Sequence, residues 1–242
     1  QARGNVRVIC HAMVDRIVFE GRTAVGVAFS INGAAHLARA GREVILSAGS
    51  IMSPTILKRS GIGPAAELAA HGIAVLADRA GVGENLMDHL ELYLQQECVQ
   101  PVSLFPSMGV AAKAMIGLRW LLTRKGLGAT NHFETGGHVR SRAGIVYPDI
   151  QFHFLPVAIS YDGKAAAKSH GFQVHVGYNH SKSRGTVSLA SSDPMVDPVL
   201  NFNYMSHEED WVKFRHCVRL TREIFGQKAF DAFRGPEIQP GE

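Results

Sequence analysis

The sequence has few cysteines. Its three, Cys10, Cys98 and Cys217, lie far apart in a chain of 242 residues, and none belongs to a CxxC motif. An odd number of widely spaced cysteines argues against a disulfide framework and favours free, buried thiols in a reducing compartment. We therefore expect a cytoplasmic protein, with a peripheral location at the inner membrane left open.

Long runs of basic or apolar residues are also missing. The net charge is +4, but no run of Lys and Arg is longer than two, so we predict no nucleic-acid partner. The twelve histidines form no HExxH motif or comparable ligand spacing, and we predict no metal site. No apolar run approaches the ~18 residues that a membrane span needs.

The two ends of the sequence read as interior segments. The first residues, QARGNVRVICHAMV, begin almost in mid-strand without an initiator Met, and the last, FRGPEIQPGE, form no terminal element. We therefore expect a piece of a longer protein. With 46% hydrophobic residues, the piece is large enough for one large domain or two smaller ones.

The first third of the chain predicts a β-meander followed by a strand, a turn and a helix. Residues 6–48 alternate in a strand-like way, and EVILSAG, which ends at Gly49, is typical of a strand buried on both faces. Ser53 and Pro54 then predict the N-cap and first position of a helix that ends at Gly61. Such a turn places free backbone N–H groups where an anion can bind.

The remaining residues predict two more helical regions and a longer series of strands. Residues 64–72 predict a short helix, and strand-like runs dominate from Glu91 onward, interrupted by a helix from about Val110 to Thr123. The last helix is predicted to begin at Ser206, where Ser-His-Glu-Glu fits a capping box. The change of composition predicts a domain boundary near residue 90.

One glycine motif is misleading. Gly61, Gly63 and Ala66 fit G-x-G-x-x-A, the spacing of dinucleotide-binding turns. A true fingerprint follows a strand and opens a helix, whereas this one follows a helix and contains Pro64. We therefore do not assign it to a nucleotide.

The longer spacing from Gly49 to Gly63, G-S-x-x-S-P-x-I-L-x-x-S-G-I-G, is specific. It resembles the second signature of the glucose-methanol-choline family of FAD-dependent alcohol oxidoreductases at every constrained position. The resemblance extends over nearly the whole chain and is strongest to the members that oxidise choline. The segments that carry it are HGIAVLADRAGVGENLMDHLE, NHFETGGHVRSR, DIQFHFLPVAI, KSHGFQVHVG and FNYMSHEEDWVKFR.

The resemblance implies an α/β fold, α+β overall. Residues 1–90 would form part of a Rossmann-like FAD-binding domain. Residues 91–242 would form a substrate-binding domain, incomplete at its C-terminus, with a mostly antiparallel sheet flanked by helices. The implied activity is oxidation of choline to betaine aldehyde, a step in glycine betaine synthesis, by hydride transfer to flavin N5. The segment lacks the N-terminal GxGxxG unit and the C-terminal block with the main catalytic histidine, so we predict that it is inactive alone.

The resemblance also assigns residues to the cofactor and the substrate. The residues implied to lie beside FAD are Ala12, Val14, Ala48, Gly49, Ser50, Asn85, Asp88 and His89. Glu134 matches the carboxylate that holds the substrate's trimethylammonium group, with Phe133 as an aromatic neighbour. His170 matches a histidine that hydrogen-bonds the substrate alkoxide. The other histidines, including His132, His153 and His175, receive no role.

Three functions stay open at this point. The first is choline oxidation, the second is oxidation of another primary alcohol by the same chemistry, and the third is a binding module without catalysis. Glu134 favours the first over the second, because a carboxylate attracts a quaternary ammonium group. The electron acceptor (oxygen, a quinone or the respiratory chain) and the formation of homo-oligomers are also left open.

Overall fold

The structure of the chain, a computed structural model, describes residues 3–160 and 169–241. Within them the β-strands are β1 (Met13–Glu20), β2 (Thr23–Ile31), β3 (Ala34–Arg39), β4 (Ile62–Gly63), β5 (Ala77–Asp78), β6 (Glu91–Cys98), β7 (Thr135–Val139), β8 (Ile150–Leu155), β9 (Gly171–Tyr178), β10 (Thr186–Ser188), β11 (Val199–Asn201) and β12 (Arg234–Gln239). The α-helices are α1 (Gly49–Arg59), α2 (Ala65–Ala70), α3 (Val110–Thr123) and α4 (Glu208–Phe225). Short 3₁₀ helices span Phe105–Met108, Leu127–Ala129 and Lys228–Phe230.

The chain divides into two compact units. The first contains the residues up to Met87 together with Ser183–Tyr204, and the second contains Asp88–Lys182 and the residues from Met205 onward. The single boundary expected near residue 90 placed Ser183–Tyr204 in the second domain. In the structure this segment packs with the first unit, because Gly185 forms a bridge with Leu86 and the backbone N–H of Val187 donates to the carbonyl of Gly83. The roles assigned to the two domains stay predictions.

The first unit begins with the predicted β-meander. Strands β1, β2 and β3 form an antiparallel sheet in sequence order. The predicted buried strand EVILSAG is wrong: residues 43–48 form no strand, and the side chain of Ile45 is 78% exposed. A strand needs a hydrogen-bonded neighbour, and no described residue pairs with this segment.

Helix α1 begins earlier than predicted. Its N-cap is Ala48, and Pro54 lies inside the helix, so the predicted start at Ser53 is wrong. The hydroxyl of Ser53 accepts a hydrogen bond from the backbone N–H of Ala48 at 3.0 Å and so helps to fix the first turn. Gly61, just past the helix, has φ of +85°, and the predicted left-handed glycine is confirmed.

The second unit is built on a five-stranded antiparallel sheet in the order β12-β6-β9-β8-β7. Its apolar face and α4 form a core that contains Leu94, Phe152, Val174, Cys217 and Phe225. The side chains alternate along each strand, and the opposite face therefore carries a different set of residues. The predicted antiparallel sheet flanked by helices is confirmed, and the fold is mixed α/β.

Helix α3 has the predicted bounds, whereas the start of α4 differs by one residue. Its cap is His207 rather than Ser206: the imidazole Nδ1 accepts the backbone N–H of Glu209 at 3.1 Å. Cys98 and Cys217 are buried free thiols as predicted, but Cys10 is exposed. Among the described residues, no helix is both long and apolar enough to cross a membrane.

Candidate functional site

The first unit contains a small cavity beside the N-terminus of α1. It has a volume of about 390 Å³, and its lining includes Ser50, Leu57, Asn85 and Val187. Ser50 and Asn85, two of the predicted cofactor residues, are therefore brought together although they are 35 positions apart in the chain. The first turn of α1 contains no acidic side chain, which leaves the positive end of its dipole available to an anion.

The loop 81–87 forms one wall of this cavity, and its backbone conformation is unusual. Gly83 has φ of +88° and Asn85 has φ of +60°. The backbone N–H of Val187 donates to the carbonyl of Gly83 at 2.7 Å. A Cβ at Gly83 would lie 2.3 Å from the carbonyl oxygen of Val187, so the contact requires glycine.

A buried lysine, Lys58, binds Val187, the residue that contacts this loop. The side chain of Lys58 is 2% exposed, and its ammonium nitrogen donates to both carboxylate oxygens of Glu67 and to the carbonyl of Val187. The carboxylate of Glu67 also accepts the backbone N–H of Leu189 at 2.8 Å. These bonds tie α1, α2 and β10 together next to the cavity.

The other predicted cofactor residues of the first unit lie elsewhere in it. Ala12 lines a separate cavity of about 420 Å³ together with Ser30, Asn32 and Met195. Val14 is in β1 and pairs with Phe29. Gly49, the first residue of α1 after the Ala48 N-cap, has φ of +82°, and a Cβ at this position would meet no described atom within 4 Å.

The second unit has a cavity of about 490 Å³ above the polar face of its sheet. The wall is mostly apolar and comes from the 3₁₀ helix at Phe105–Met108, from α3, from residues 131–133 and from the end of β8. The apolar side chains of the wall are Leu104, Met108, Ile116, Phe133, Leu155, Val157 and Ile159. This size and lining are typical of a small-molecule site.

Phe133 and His175 meet in this cavity wall. Their ring centroids are 5.3 Å apart in an edge-to-face arrangement, and the ring of Phe133 also lies 5.9 Å from that of His153. His132, the neighbour of Phe133, has φ of +64°, and its buried Nδ1 has no hydrogen-bond partner among the described residues. Strained backbone and unpaired polar atoms are concentrated at functional sites in proteins.

A chain of hydrogen bonds runs along the sheet beneath His175. Its Nδ1 lies 3.0 Å from Oε1 of Glu91, and its Nε2 lies 2.7 Å from Nε2 of Gln173. Oε1 of Gln173 accepts bonds from the side chain of Gln95 and the backbone N–H of Ile159, both at 2.8 Å. The imidazole also stacks on Tyr93, with ring centroids 3.9 Å apart.

Burial and charge act in opposite directions on His175. Loss of hydration lowers the pKa of its imidazole, and the nearby Glu91 carboxylate raises that pKa by a smaller amount, so the net direction is down. The imidazole is therefore neutral at pH 7.

The remaining predicted site residues of the second unit are only partly gathered at this cavity. Glu134 is not among the described residues that line the cavity, and its side chain is exposed. His170 is also outside the lining, and its Nδ1 lies 2.9 Å from Oγ of Ser103, next to Leu104 of the wall. Asp88 accepts the backbone N–H of His89 at 2.9 Å, and His89 lies beside Gln151 of the polar face.

His175 and its partner Glu91 were not predicted from the sequence. The signal was present in the strand pattern, because Gln173 and His175 are two residues apart in GFQVHVGY and must therefore face the same side. The same spacing holds for Glu91, Tyr93 and Gln95 in ELYLQQ. Pairing of these two strands, which the sequence does not reveal, brings the polar residues together.

Comparisons with known proteins agree with this architecture. The chain is 61% identical over 239 residues to the oxygen-dependent choline dehydrogenase of Brucella ovis, which covers 99% of the chain and 43% of the relative. The enzyme of the same name from Rhizobium johnstonii is 61% identical over 240 residues, or 99% of the chain and 44% of the relative. The chain therefore spans less than half the length of these relatives.

Solved structures show the same fold at lower sequence identity. A formate oxidase superposes with a TM-score of 0.85 at 24% identity, over 96% of this chain and 45% of that one. The pyridoxine 4-oxidase of Mesorbium loti superposes with a TM-score of 0.76 at 24% identity, over 96% and 42%.

The family itself is established by the sequence. The GMC oxidoreductase family matches the chain in two parts, over residues 1–91 and 181–242, which together make up more than half of it. The two parts are consistent with the signature between Gly49 and Gly63. This chain belongs to the GMC oxidoreductase family.

Proposed function

We propose that the whole protein, of which these residues are a part, is an FAD-dependent oxidoreductase that oxidises choline to betaine aldehyde. The observation that carries this proposal is the 61% identity, over 99% of the chain, to relatives named oxygen-dependent choline dehydrogenase. That name also supports oxygen as the electron acceptor.

The residues of the first unit fit part of an FAD molecule. The cavity lined by Ser50 and Asn85 lies beside a helix N-terminus without acidic side chains, which suits a polar, anionic group. Gly83 keeps the loop against Val187, and Gly49 leaves the space at the helix start free of a side chain. When bound, FAD would supply the acceptor for the hydride of the alcohol.

The cavity of the second unit fits the trimethylammonium end of choline. A quaternary ammonium has no hydrogen to donate, so proteins recognise it by aromatic faces and by negative charge. Phe133 and His175 provide aromatic rings in a mostly apolar wall. We keep Glu134 as a carboxylate that attracts the cation from the surface, and His170 as the group that hydrogen-bonds the substrate oxygen.

The full-length protein tests this proposal directly. We expect a flavin absorption spectrum, consumption of oxygen with choline, and a kcat/KM for choline well above that for benzyl alcohol. A flavin-containing protein that prefers benzyl alcohol would support another alcohol as substrate. Purified protein without flavin and without turnover of any alcohol would leave the binding module as the better description.

A further inference from the structure

We propose that Glu91 and His175 act together as a specificity determinant, and that the negative charge of this pair makes the second-unit cavity selective for alcohols that carry a cationic group. The proposal rests on the function proposed above and adds a pair of residues to which neither the motifs nor the family resemblance assigned a role. Both belong to the polar face of the sheet, one on β6 and the other on β9.

The geometry couples the carboxylate to the cavity through the imidazole ring. His175 lines the cavity and is 8% exposed, while Oε1 of Glu91 lies 3.0 Å from its Nδ1. Among the described residues, no Lys or Arg lies within 4.0 Å of the Glu91 carboxylate, so no ion pair with a permanent cation cancels its charge. Glu91 itself does not line the cavity, so its charge acts on a cation there from behind the imidazole of His175.

The hydrogen-bond network fixes the proton on Nδ1 of His175. Oε1 of Gln173 accepts from the N–H of Ile159 and from Gln95, so its amide nitrogen is the atom that faces Nε2 of His175. An amide nitrogen only donates, which makes Nε2 the acceptor and Nδ1–H the donor to Glu91. A second proton on Nε2 would face a donor, and the network therefore opposes protonation of the ring.

The pair consequently carries one negative charge at neutral pH. A neutral imidazole that donates to a carboxylate leaves that negative charge uncancelled beside the cavity, and the charge attracts a quaternary ammonium group. The other titratable and charged groups around His175 are His153 on β8, Tyr93 on β6, and His132 and Lys113 in the cavity wall. Lys113 is the permanent cation among them, and its side chain is exposed on α3.

The substitution Glu91→Gln in the full-length protein isolates the charge. Gln keeps the size and can still accept the Nδ1–H bond, so the imidazole stays in place. We expect the ratio of kcat/KM for choline to that for its uncharged isostere 3,3-dimethylbutanol to fall by about 10- to 100-fold, the effect of one partly screened charge. The isostere itself should be affected by less than about threefold.

Glu97→Gln is the matched control. Glu97 is an exposed residue on the same strand, six positions along and therefore about 20 Å away. Its substitution should leave the choline preference within about twofold of wild type. An unchanged preference in Glu91→Gln, or an equal fall in both variants, would overturn the proposal.

A binding measurement keeps this test separate from the proposed activity. Calorimetric titration of the full-length protein with tetramethylammonium needs no turnover, and we expect its Kd to be about 10- to 100-fold weaker in Glu91→Gln. Equal affinity in the two proteins, or no binding to wild type, overturns the role of the pair. If the protein does not oxidise choline but its Kd for tetramethylammonium is weaker in Glu91→Gln than in wild type, only the proposed function is overturned.

Discussion

The ammonium nitrogen of Lys58 lies 2.9 and 2.7 Å from the two carboxylate oxygens of Glu67, in the interior of the first unit. The lysine side chain is 2% exposed and that of Glu67 is 21% exposed. A third bond to the carbonyl of Val187, at 2.7 Å, uses the last donor of the ammonium group. This pair therefore connects two helices with the strand that holds the Gly83 loop.

We expect Lys58→Met to destabilise the first unit by about 3–5 kcal/mol, because it leaves the Glu67 carboxylate without its cation in a partly buried site. The measurement is differential scanning calorimetry of the full-length protein. Arg22→Met is the control, since Arg22 is exposed in the turn between β1 and β2 and its change should stay within about 0.5 kcal/mol. Similar melting temperatures for wild type and Lys58→Met would contradict a structural role for the ion pair.

A second prediction concerns Gly83 and uses a neighbouring glycine for comparison. In Gly83→Ala the new Cβ would lie 2.3 Å from the carbonyl oxygen of Val187, with φ of +88°, so the loop must move. We expect the full-length variant to lose most of its bound FAD, read from the ratio of flavin absorbance to protein absorbance. Gly81→Ala, where a Cβ meets no described atom within 4 Å, should retain its flavin. Equal flavin content in both variants would mean that the loop does not shape the cofactor site.

Local signals in the sequence predicted much of the fold. The glycine after α1, the bounds of α3 and the alternating strands of the second unit depend on neighbouring residues, and all were predicted. The strand predicted at residues 43–48 does not form. A strand needs a hydrogen-bonded neighbour as well as an apolar pattern, and no described strand pairs with this segment. The cap of α4 shifted by one residue because an imidazole nitrogen can accept the same bond as a serine hydroxyl.

The candidate sites show more clearly that contacts between distant segments are not predicted by local sequence signals. Ser50 and Asn85 were assigned to the cofactor by the family resemblance, and the fold brings them to one cavity. His175 has no motif, since its significance depends on Glu91 from β6 and Phe133 from a loop before β7. Strand register and loop closure create that arrangement, and neither can be read from a single sequence.

The pH dependence of stability offers a test of the His175 environment. Burial lowers the pKa of this imidazole in the folded protein, whereas the unfolded chain has the ordinary value of about 6.5. Below pH 6.5 the unfolded state therefore binds the proton more readily, and stability falls as the pH drops toward the folded pKa.

We expect wild type to lose up to about 1.4 kcal/mol per pH unit more than His175→Gln in this window. Melting curves of both full-length proteins between about pH 7.5 and 5.5 provide the measurement. Since the other ionisable groups are shared, they cancel in the comparison. Parallel curves would show that His175 titrates with its ordinary pKa.

The last prediction concerns Glu134, the carboxylate that the family resemblance assigned to the substrate cation. Neutralising one partner of a partly desolvated ion pair costs about 2–4 kcal/mol. The side chain of Glu134, however, is exposed, and Glu134 is not among the described residues that line the cavity. Solvent screens an exposed carboxylate strongly, so we expect Glu134→Gln to lower the preference for choline over 3,3-dimethylbutanol by only about two- to fivefold.

Glu91→Gln, beside the cavity wall, should lower the same preference by more. The comparison requires the ratio of kcat/KM for the two alcohols in both full-length variants, measured in the same buffer. Added salt separates the two carboxylates further, because screening weakens an exposed charge more than a half-buried one, and the smaller effect of Glu134→Gln should vanish at about 1 M ionic strength. A loss for Glu134→Gln that equals or exceeds the loss for Glu91→Gln would place the main cation-selective charge at Glu134, in a setting that excludes water in the whole protein.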